Sequence, residues 1–231
     1  MISRRVIVFA IALTAIAIIF FGFYYWNVFN GLKPQKTVVL FFDDGWENQY
    51  KIALPILKLY GFRATFGIIA AAIGGGTPAT DWAYMTEDEI RDLAQNKMEI
   101  ASHSYSHLQL TQLPNELLIM ELQMSKETLE ILLGKSVETF IIPYNISNQT
   151  VEEAILQRYS RFRQISPIIW VMNETVEKFD SLVNDGAFLV YHSIRISNES
   201  WTTPPITFHS HMEYLHKNGY QAVSFEEFLT Q

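Results

Sequence analysis

Residues 37–46 read TVVLFFDDGW, and this stretch carries the main sequence clue to the fold. Its first six residues form an unbroken β-rich apolar run, which is typical of a parallel strand buried on both faces. Asp43 and Asp44 follow directly. An Asx turn or a helix N-cap accounts for one aspartate here but leaves the second unexplained. The pair therefore indicates chemistry at the carboxyl end of this strand.

The same strand pattern recurs along the chain. Apolar runs at ATFGII (64–69), MEIAS (98–102), TFIIP (139–143) and AFLVYHS (187–193) alternate with segments of helical spacing such as 46–61 and 113–134. This alternation predicts an α/β fold with a parallel sheet covered by helices, either doubly wound or barrel-shaped. There is no G-x-G-x-x-G or Walker sequence, and GGG at 74–76 is expected to lie in a flexible loop (74–80). Active sites in such folds lie at the carboxyl ends of the strands.

The composition narrows the possible chemistry. The 231 residues, 49% of them hydrophobic, suit one domain with a large core. Without cysteine, a metal site must use His, Asp or Glu ligands. The formal net charge of -7 argues against nucleic acid as a partner.

The amino terminus has the pattern of a membrane anchor. Residues 6–26 are apolar and uncharged, long enough for a helix to span roughly 30 Å of bilayer core. A cleaved signal peptide is the alternative, although its apolar region usually has only about 7–15 residues. We interpret residues 1–5 as a cytoplasmic basic tip, 6–26 as a transmembrane signal anchor, 27–36 as a linker and 37–231 as a catalytic domain. Arg4 and Arg5 favour an amino terminus inside the cell and the domain outside.

Histidines follow two of the other strands. His103 and His107 come after the strand at 98–102, and His192 ends the strand at 187–192. The first two, with one carboxylate, would form a His-His-Asp face with positions left for water, as in catalytic zinc sites. H-x-x-x-H alone is a weak signal, and two ordinary loop histidines are the alternative. The position of both motifs after strands favours a divalent metal site.

The remaining polar groups at these strand ends suggest a division of roles. One aspartate can bind the metal while the other acts as a general base toward water, if Gly45 allows a turn between them. His192 is a candidate general acid, with a hydrogen-bonded core histidine as the alternative. His209, His211 and His216 lie on a late amphipathic helix and are interpreted as surface or packing residues.

Four segments in this order resemble the motifs of the polysaccharide deacetylases, carbohydrate esterase family 4. They are FFDDG (41–45), HSYSH (103–107), IIPYN (141–145) and VYH (190–192). The resemblance covers most of residues 37–231. It implies a deformed (β/α) barrel and a metal-dependent hydrolase that removes acetyl groups from N-acetylated sugars of an extracellular or cell-envelope polysaccharide, with a metal-activated water attacking the amide carbonyl.

The resemblance also implies residue roles. Asp43 would be the base, His192 the acid, and the backbone N–H of Tyr144 an oxyanion donor. Asp44, His103 and His107 would hold the metal, with Zn²⁺ expected first and Co²⁺ or another divalent ion possible. The implied partners are an N-acetylated glycan and, through residues 6–26, a membrane; no organic cofactor is implied.

The chain departs from the family pattern in two places. Ile141 stands where the family has an arginine that braces the base, and Arg163 is the candidate to replace it from another position. The aspartate of the fourth motif is not recognisable, and Trp170 is its nearest trace. An alternative hypothesis is therefore a non-catalytic or weakly active glycan-binding module that retains the metal site.

Overall fold

The computed structural model describes residues 18–22, 36–77, 82–163 and 167–230. The chain divides into two compact units, residues 1–35 and 36–231. Within the first, only 18–22 is described, as an exposed helical segment, so most of the predicted anchor at 6–26 lies outside the described residues. Among the residues that the structure describes, we find no helix with the length and hydropathy needed to span a bilayer.

The second unit is built on a parallel sheet. Its described strands are β1 Lys36–Phe42, β2 Thr65–Ile68, β3 Gly76–Thr77, β4 Trp82–Ala83, β5 Glu99–Ser102, β6 Thr139–Ile141, β7 Arg161–Arg163, β8 Ile168–Trp170, β9 Ala187–Tyr191, β10 Ser193–Ile194, β11 Thr202–Thr203 and β12 Tyr220–Val223. The main sheet has the order β7-β6-β5-β2-β1-β9-β8, and β12 also pairs with β1. Every ladder described in this sheet is parallel, which confirms the predicted α/β architecture.

The sheet forms a half-barrel. Strand β1 lies at its centre and pairs with β9 along one edge. Two strands share the other side of β1: the first half of β1 pairs with β12, and its last two residues pair with β2. The described strands include no ladder between β7 and β8, the two ends of the path. This open, distorted arrangement agrees with a deformed barrel and not with a doubly wound sheet.

Helices pack around the sheet. They are α1 Leu54–Tyr60, α2 Glu87–Gln95, α3 Asn115–Leu133, α4 Gln149–Leu156, α5 Val176–Leu182, α6 Pro205–Lys217 and α7 Phe225–Leu229. A π-helical turn, Gln49–Ala53, precedes α1. Pro55 therefore falls in the first turn of α1, where its missing N–H costs little. The capping box predicted at α2 is present, with Thr86 and Glu89 bonded reciprocally.

The side chains of β1 divide between two apolar clusters. Val38, Leu40 and Phe42 pack with the surrounding helices, whereas Val39 and Phe41 face the inside of the half-barrel. All five are fully buried, as the uninterrupted apolar run predicted. Burial of each contributes about 1.5–3 kcal/mol, so β1 is the main structural support of the motif that follows it.

The segment predicted as a flexible loop at 74–80 is partly ordered, and that prediction is wrong for Gly76 and Thr77. These residues pair antiparallel with Ala83 and Trp82. Gly76 has φ +92°, and a Cβ there would lie 2.2 Å from the Trp82 carbonyl oxygen. Glycine is therefore required by close backbone approach and not by flexibility. Residues 78–81 lie outside the described ranges.

Candidate metal centre and active site

The carboxyl ends of the parallel strands meet around one cavity of about 260 Å³. The groups predicted after β1, β5 and β9 all reach it, together with the segment after β6. The structure thus brings together every candidate site residue named from the sequence, which are Asp43, Asp44, His103, His107, Tyr144 and His192. Aromatic side chains from Trp46, Trp170 and Trp201 complete the lining.

A tight turn separates the two aspartates. Asp44 and Gly45 both have φ 78°, in the left-handed region. This turn lets the two side chains point to different partners instead of alternating across an extended strand. Asp43 is 2% exposed and directed toward the buried Arg163, while Asp44 is partly buried and directed toward the histidines. Gly45 is needed for the turn, as the sequence suggested.

Three side chains form a coherent donor set for a divalent ion. Oδ1 of Asp44 lies 3.5 Å from Nε2 of His103 and 3.5 Å from Nε2 of His107. All the ligand atoms lie within 4.8 Å of one another. Nδ1 of His103 donates to the Ile141 carbonyl oxygen at 2.9 Å. This bond fixes the tautomer and leaves Nε2 as the coordinating nitrogen, so the residues present fit a His₂–carboxylate metal site.

Burial and neighbouring charges shift the pKa values of the site residues in opposite directions. Burial raises the pKa of Asp44, but the hydrogen bond and charge of His103 outweigh it and hold that pKa well below its usual range. Burial lowers the pKa of His103, but Asp44 and Asp43 together raise it overall. Burial and the neighbouring His103 lower the pKa of His107 to about 4. At neutral pH the site therefore offers an ionised carboxylate and a neutral His107.

A buried glutamate shapes the loop that carries His107. Glu121 of α3 accepts bonds from the backbone N–H groups of Tyr105, at 3.1 Å, and Ser106, at 2.8 Å, and from the Ser106 hydroxyl. Ser104 Oγ accepts from the His107 N–H at 2.9 Å. Ser104 and His107 have φ 64° and 60°, a backbone conformation that is unfavourable for residues other than glycine. The Glu121 carboxylate offsets the strain of this loop.

Replacing Glu121 by alanine is expected to lower the free energy of unfolding by about 2–3 kcal/mol, because two N–H groups lose a charged acceptor. Metal affinity should fall at least about 10-fold, as expected when a group that orients a ligand is removed. Chemical denaturation and metal titration measure the two effects. Glu127→Ala, on the exposed face of the same helix, is the matched control. Unchanged metal affinity in Glu121→Ala would contradict a positioning role.

An arginine from a neighbouring strand braces Asp43. Arg163 donates from Nη1 to Oδ1 at 2.7 Å and from Nη2 to Oδ2 at 2.6 Å, and both side chains are buried. Arg163 on β7 is paired in register with Ile141 on β6. The contact proposed from the sequence for Arg163 is thus present, one strand away from the family position. Burial raises the pKa of Asp43, but the Arg163 guanidinium outweighs burial and lowers it overall.

Two polar residues missed in the sequence join the ends of β1 and β9. Gln49, fully buried, donates from Nε2 to the carbonyl oxygens of Asp43, at 2.6 Å, and His192, at 2.8 Å. Asn48 donates from Nδ2 to Ser193 Oγ at 2.7 Å. The π-helical turn begins at Gln49, and such turns are frequent at functional sites. These contacts hold together the backbones of Asp43 and His192, the two candidate proton-transfer residues.

Aromatic residues lie on either side of the cavity. The Trp170 ring lies 5.6 Å from the His192 ring and the Tyr144 ring 4.6 Å from the His107 ring, measured between centroids. Tyr144 has φ 59° and is 57% exposed, so it forms part of the rim. Trp170, the nearest trace of the fourth motif in the sequence, thus packs beside His192.

The other histidines are surface or packing residues, as expected. His211 is buried, donates from Nε2 to the Glu174 carbonyl oxygen at 2.9 Å and contacts the Tyr191 hydroxyl at 3.2 Å. Its ring stacks on Phe179 with centroids 4.0 Å apart. His209 and His216 contact the Tyr60 ring.

The buried His211 predicts an acid-sensitive contribution to stability. Burial lowers its pKa in the folded state below the ordinary 6.5. The unfolded chain therefore binds this proton first, and the free energy of unfolding should fall as pH decreases below about 6.5. In His211→Gln the free energy of unfolding should depend less steeply on pH, with a slope smaller by at most about 1.4 kcal/mol per pH unit. Urea unfolding of both proteins from pH 7.5 to 5 measures this difference. The same pH dependence of the free energy of unfolding in both proteins would contradict the prediction.

The sequence also matches a family profile, described as polysaccharide deacetylase, over residues 30–159. The chain belongs to the polysaccharide deacetylase family. Members of this family are hydrolases that act on carbon–nitrogen bonds. The profile covers both the Asp43-Asp44 motif and the His103–His107 motif, which are the residues that the fold brings together.

Individual relatives agree with this assignment. The chain is 32% identical over 121 residues to the putative polysaccharide deacetylase YxkH of Bacillus subtilis, covering 52% of this chain and 40% of that protein. It therefore spans less than half the length of this curated relative. Two solved structures share the fold. The peptidoglycan deacetylase PdaC of Bacillus subtilis has a TM-score of 0.65 at 19% identity, covering 85% of this chain and 91% of that one. A family 4 pseudoenzyme from Bacillus anthracis has a TM-score of 0.63 at 18% identity, covering 85% and 66%.

Proposed function

We propose that this protein is a metal-dependent deacetylase that removes acetyl groups from N-acetylated sugars of a polysaccharide. The proposal depends on one observation: a set of three potential metal ligands, an ionised Asp43 and His192 all lie around the same cavity. Family membership supports the same reaction class.

Each side chain has a role that follows from its surroundings. A divalent ion held by Asp44, His103 and His107 would polarise the amide carbonyl and lower the pKa of an attacking water. Asp43, kept ionised by Arg163, accepts the proton from that water. His192 donates a proton to the leaving amine. The products are acetate and a free amine on the sugar.

The other proposed contributions concern the oxyanion and the metal. The Tyr144 backbone N–H lies in the segment beside His107 and would donate to the developing oxyanion. Zn²⁺ suits a site of two imidazoles and one carboxylate, and Co²⁺ would fill the same set.

The cavity suits an uncharged sugar. The described residues that line it include no lysine or arginine, so apart from the proposed metal and the histidines it offers no positive charge for a substrate carboxylate or phosphate. Tyr144, 57% exposed, and Trp170, 37% exposed, present aromatic surface at the rim, and such surface packs well against the apolar faces of sugar rings. We therefore propose neutral N-acetylated hexosamine units as the substrate.

A second candidate function is glycan binding with little or no turnover. The comparison with a family pseudoenzyme shows that the fold occurs without activity in another protein. Here the ring beside His192 is Trp170, whereas the family pattern has an aspartate that tunes the acid. A weakly active or non-catalytic module would keep the metal site and the aromatic rim but release no acetate.

The location of the reaction is also a proposal. Residues 6–26 have the length and apolarity of a signal anchor, and Arg4 and Arg5 precede them. We propose that this segment holds the chain in a membrane with residues 37–231 outside the cell, where an envelope glycan would be available.

Acetate release from N-acetylglucosamine oligomers tests these alternatives. The protein is stripped with a chelator and reloaded with Zn²⁺ or Co²⁺, and bound metal is counted. The proposed enzyme should bind one ion per chain and release acetate only when loaded. Glycan binding by the loaded protein without acetate release would favour the second candidate. Absence of metal binding would contradict both.

A further inference from the structure

The indole of Trp46 contacts the proposed metal-binding carboxylate. Its Nε1–H donates to Oδ2 of Asp44 at 3.1 Å. The other oxygen, Oδ1, is the atom that lies 3.5 Å from Nε2 of both His103 and His107. The two oxygens of Asp44 therefore have separate partners, one held by an indole and one directed to the histidines.

Trp46 is itself held by a cluster of aromatic rings. Its ring stacks against Tyr84, with centroids 4.4 Å apart and planes at 18°, and against Trp201 at 5.8 Å and 29°. Trp82 meets it edge-on at 5.2 Å. The backbones of Trp46 and Tyr84 also form an isolated antiparallel bridge. The two stacked rings and the bridge orient the indole so that its N–H edge points at Asp44.

The need for such a contact follows from the symmetry of the carboxylate. Asp44 has φ 78° and is followed by Gly45 at the same angle, and this turn directs the side chain toward the histidines but does not decide which of its two equivalent oxygens faces them. A free carboxylate can rotate and present either oxygen. The indole bond occupies Oδ2 and thereby selects Oδ1 for the histidine side of the site.

We propose that Trp46 is a positioning residue for the metal ligand Asp44: its indole N–H holds Oδ2, so that Asp44 presents Oδ1 alone to a divalent ion. This inference rests on the proposed metal-dependent function. Groups that orient a metal ligand typically contribute about 10–100-fold to metal affinity. Phenylalanine at position 46 would keep an aromatic ring in the cluster while removing the N–H donor and part of the ring area.

Zinc affinity of Trp46→Phe against wild type tests the inference, measured by competition with a chromophoric chelator. The Kd for Zn²⁺ should rise about 10-fold or more. Trp82→Phe is the matched control, because it also alters a ring in contact with Trp46 but leaves the bond to Asp44 in place. Its Kd should stay within about 2-fold of wild type.

A second measurement needs no substitution at position 46. The ¹⁵N-indole resonance of Trp46 in the wild-type protein should shift on addition of Zn²⁺, because its acceptor becomes a ligand. Wild-type affinity in Trp46→Phe, or an indole resonance that does not move with Zn²⁺, would overturn the positioning role while leaving the proposed function intact. Failure of the wild-type protein to bind Zn²⁺ would overturn both.

Discussion

Replacing Arg163 by alanine is expected to lower the free energy of unfolding by about 3–5 kcal/mol, the usual cost of leaving one partner of a buried ion pair without the other. Arg163 and Asp43 are 0% and 2% exposed, so the ion pair is almost completely shielded from bulk solvent. The pKa of Asp43 should rise, because burial opposes its charge and Arg163 no longer compensates. Urea unfolding at pH 7 measures the loss of stability.

Two further variants separate the ion pair from a general effect of losing an arginine. Arg63→Ala removes a partner of Glu227 in a bridge whose side chains are 34% and 38% exposed, and should cost less than about 1 kcal/mol. Arg163→Lys keeps the charge but cannot donate to both carboxylate oxygens in the planar geometry seen here. The free energy of unfolding of Arg163→Lys should lie between those of wild type and Arg163→Ala. Equal stability losses in Arg163→Ala and Arg63→Ala would refute the brace.

Replacing Asp43 by asparagine should reduce the rate of acetate release by about 10²–10⁴-fold, the range ascribed to a positioned general base. The asparagine side chain has nearly the same shape but cannot accept a proton from water. The metal content should stay at the wild-type value, because Asp44, His103 and His107 form the donor set without Asp43. Acetate release and metal analysis on the same preparation give both numbers.

Asp44→Asn is the companion variant, and it should lose metal as well as activity. Together the two substitutions test the division of roles between adjacent carboxylates. Loss of metal in Asp43→Asn would mean that the roles are assigned the wrong way round. Wild-type turnover in Asp43→Asn would require another base and would contradict the mechanism.

Much of the fold could be predicted because its signals are local. The apolar run of β1, the capping box at Thr86 and Glu89, and the glycines that end α1 and α3 each depend on residues a few positions apart. The parallel arrangement then places Asp44, His103 and His192 at one edge, because the carboxyl ends of parallel strands meet there. The sequence by itself thus determined the strand–helix alternation, the edge that carries the site and the identity of the candidate metal donors.

The supporting contacts depend on pairings that no local pattern encodes. Arg163 reaches Asp43 across 120 residues of sequence, and its place follows from the register of β7 against β6, where it pairs with Ile141. Glu121 carried a weak signal, a charged residue among the buried positions of α3, but its partners at 105 and 106 could be known only once helix and loop were packed together. Side-chain contacts between distant segments are set by strand register and helix packing. The tertiary structure therefore decided how the first aspartate is braced, while the sequence had already determined which residues form the proposed metal site.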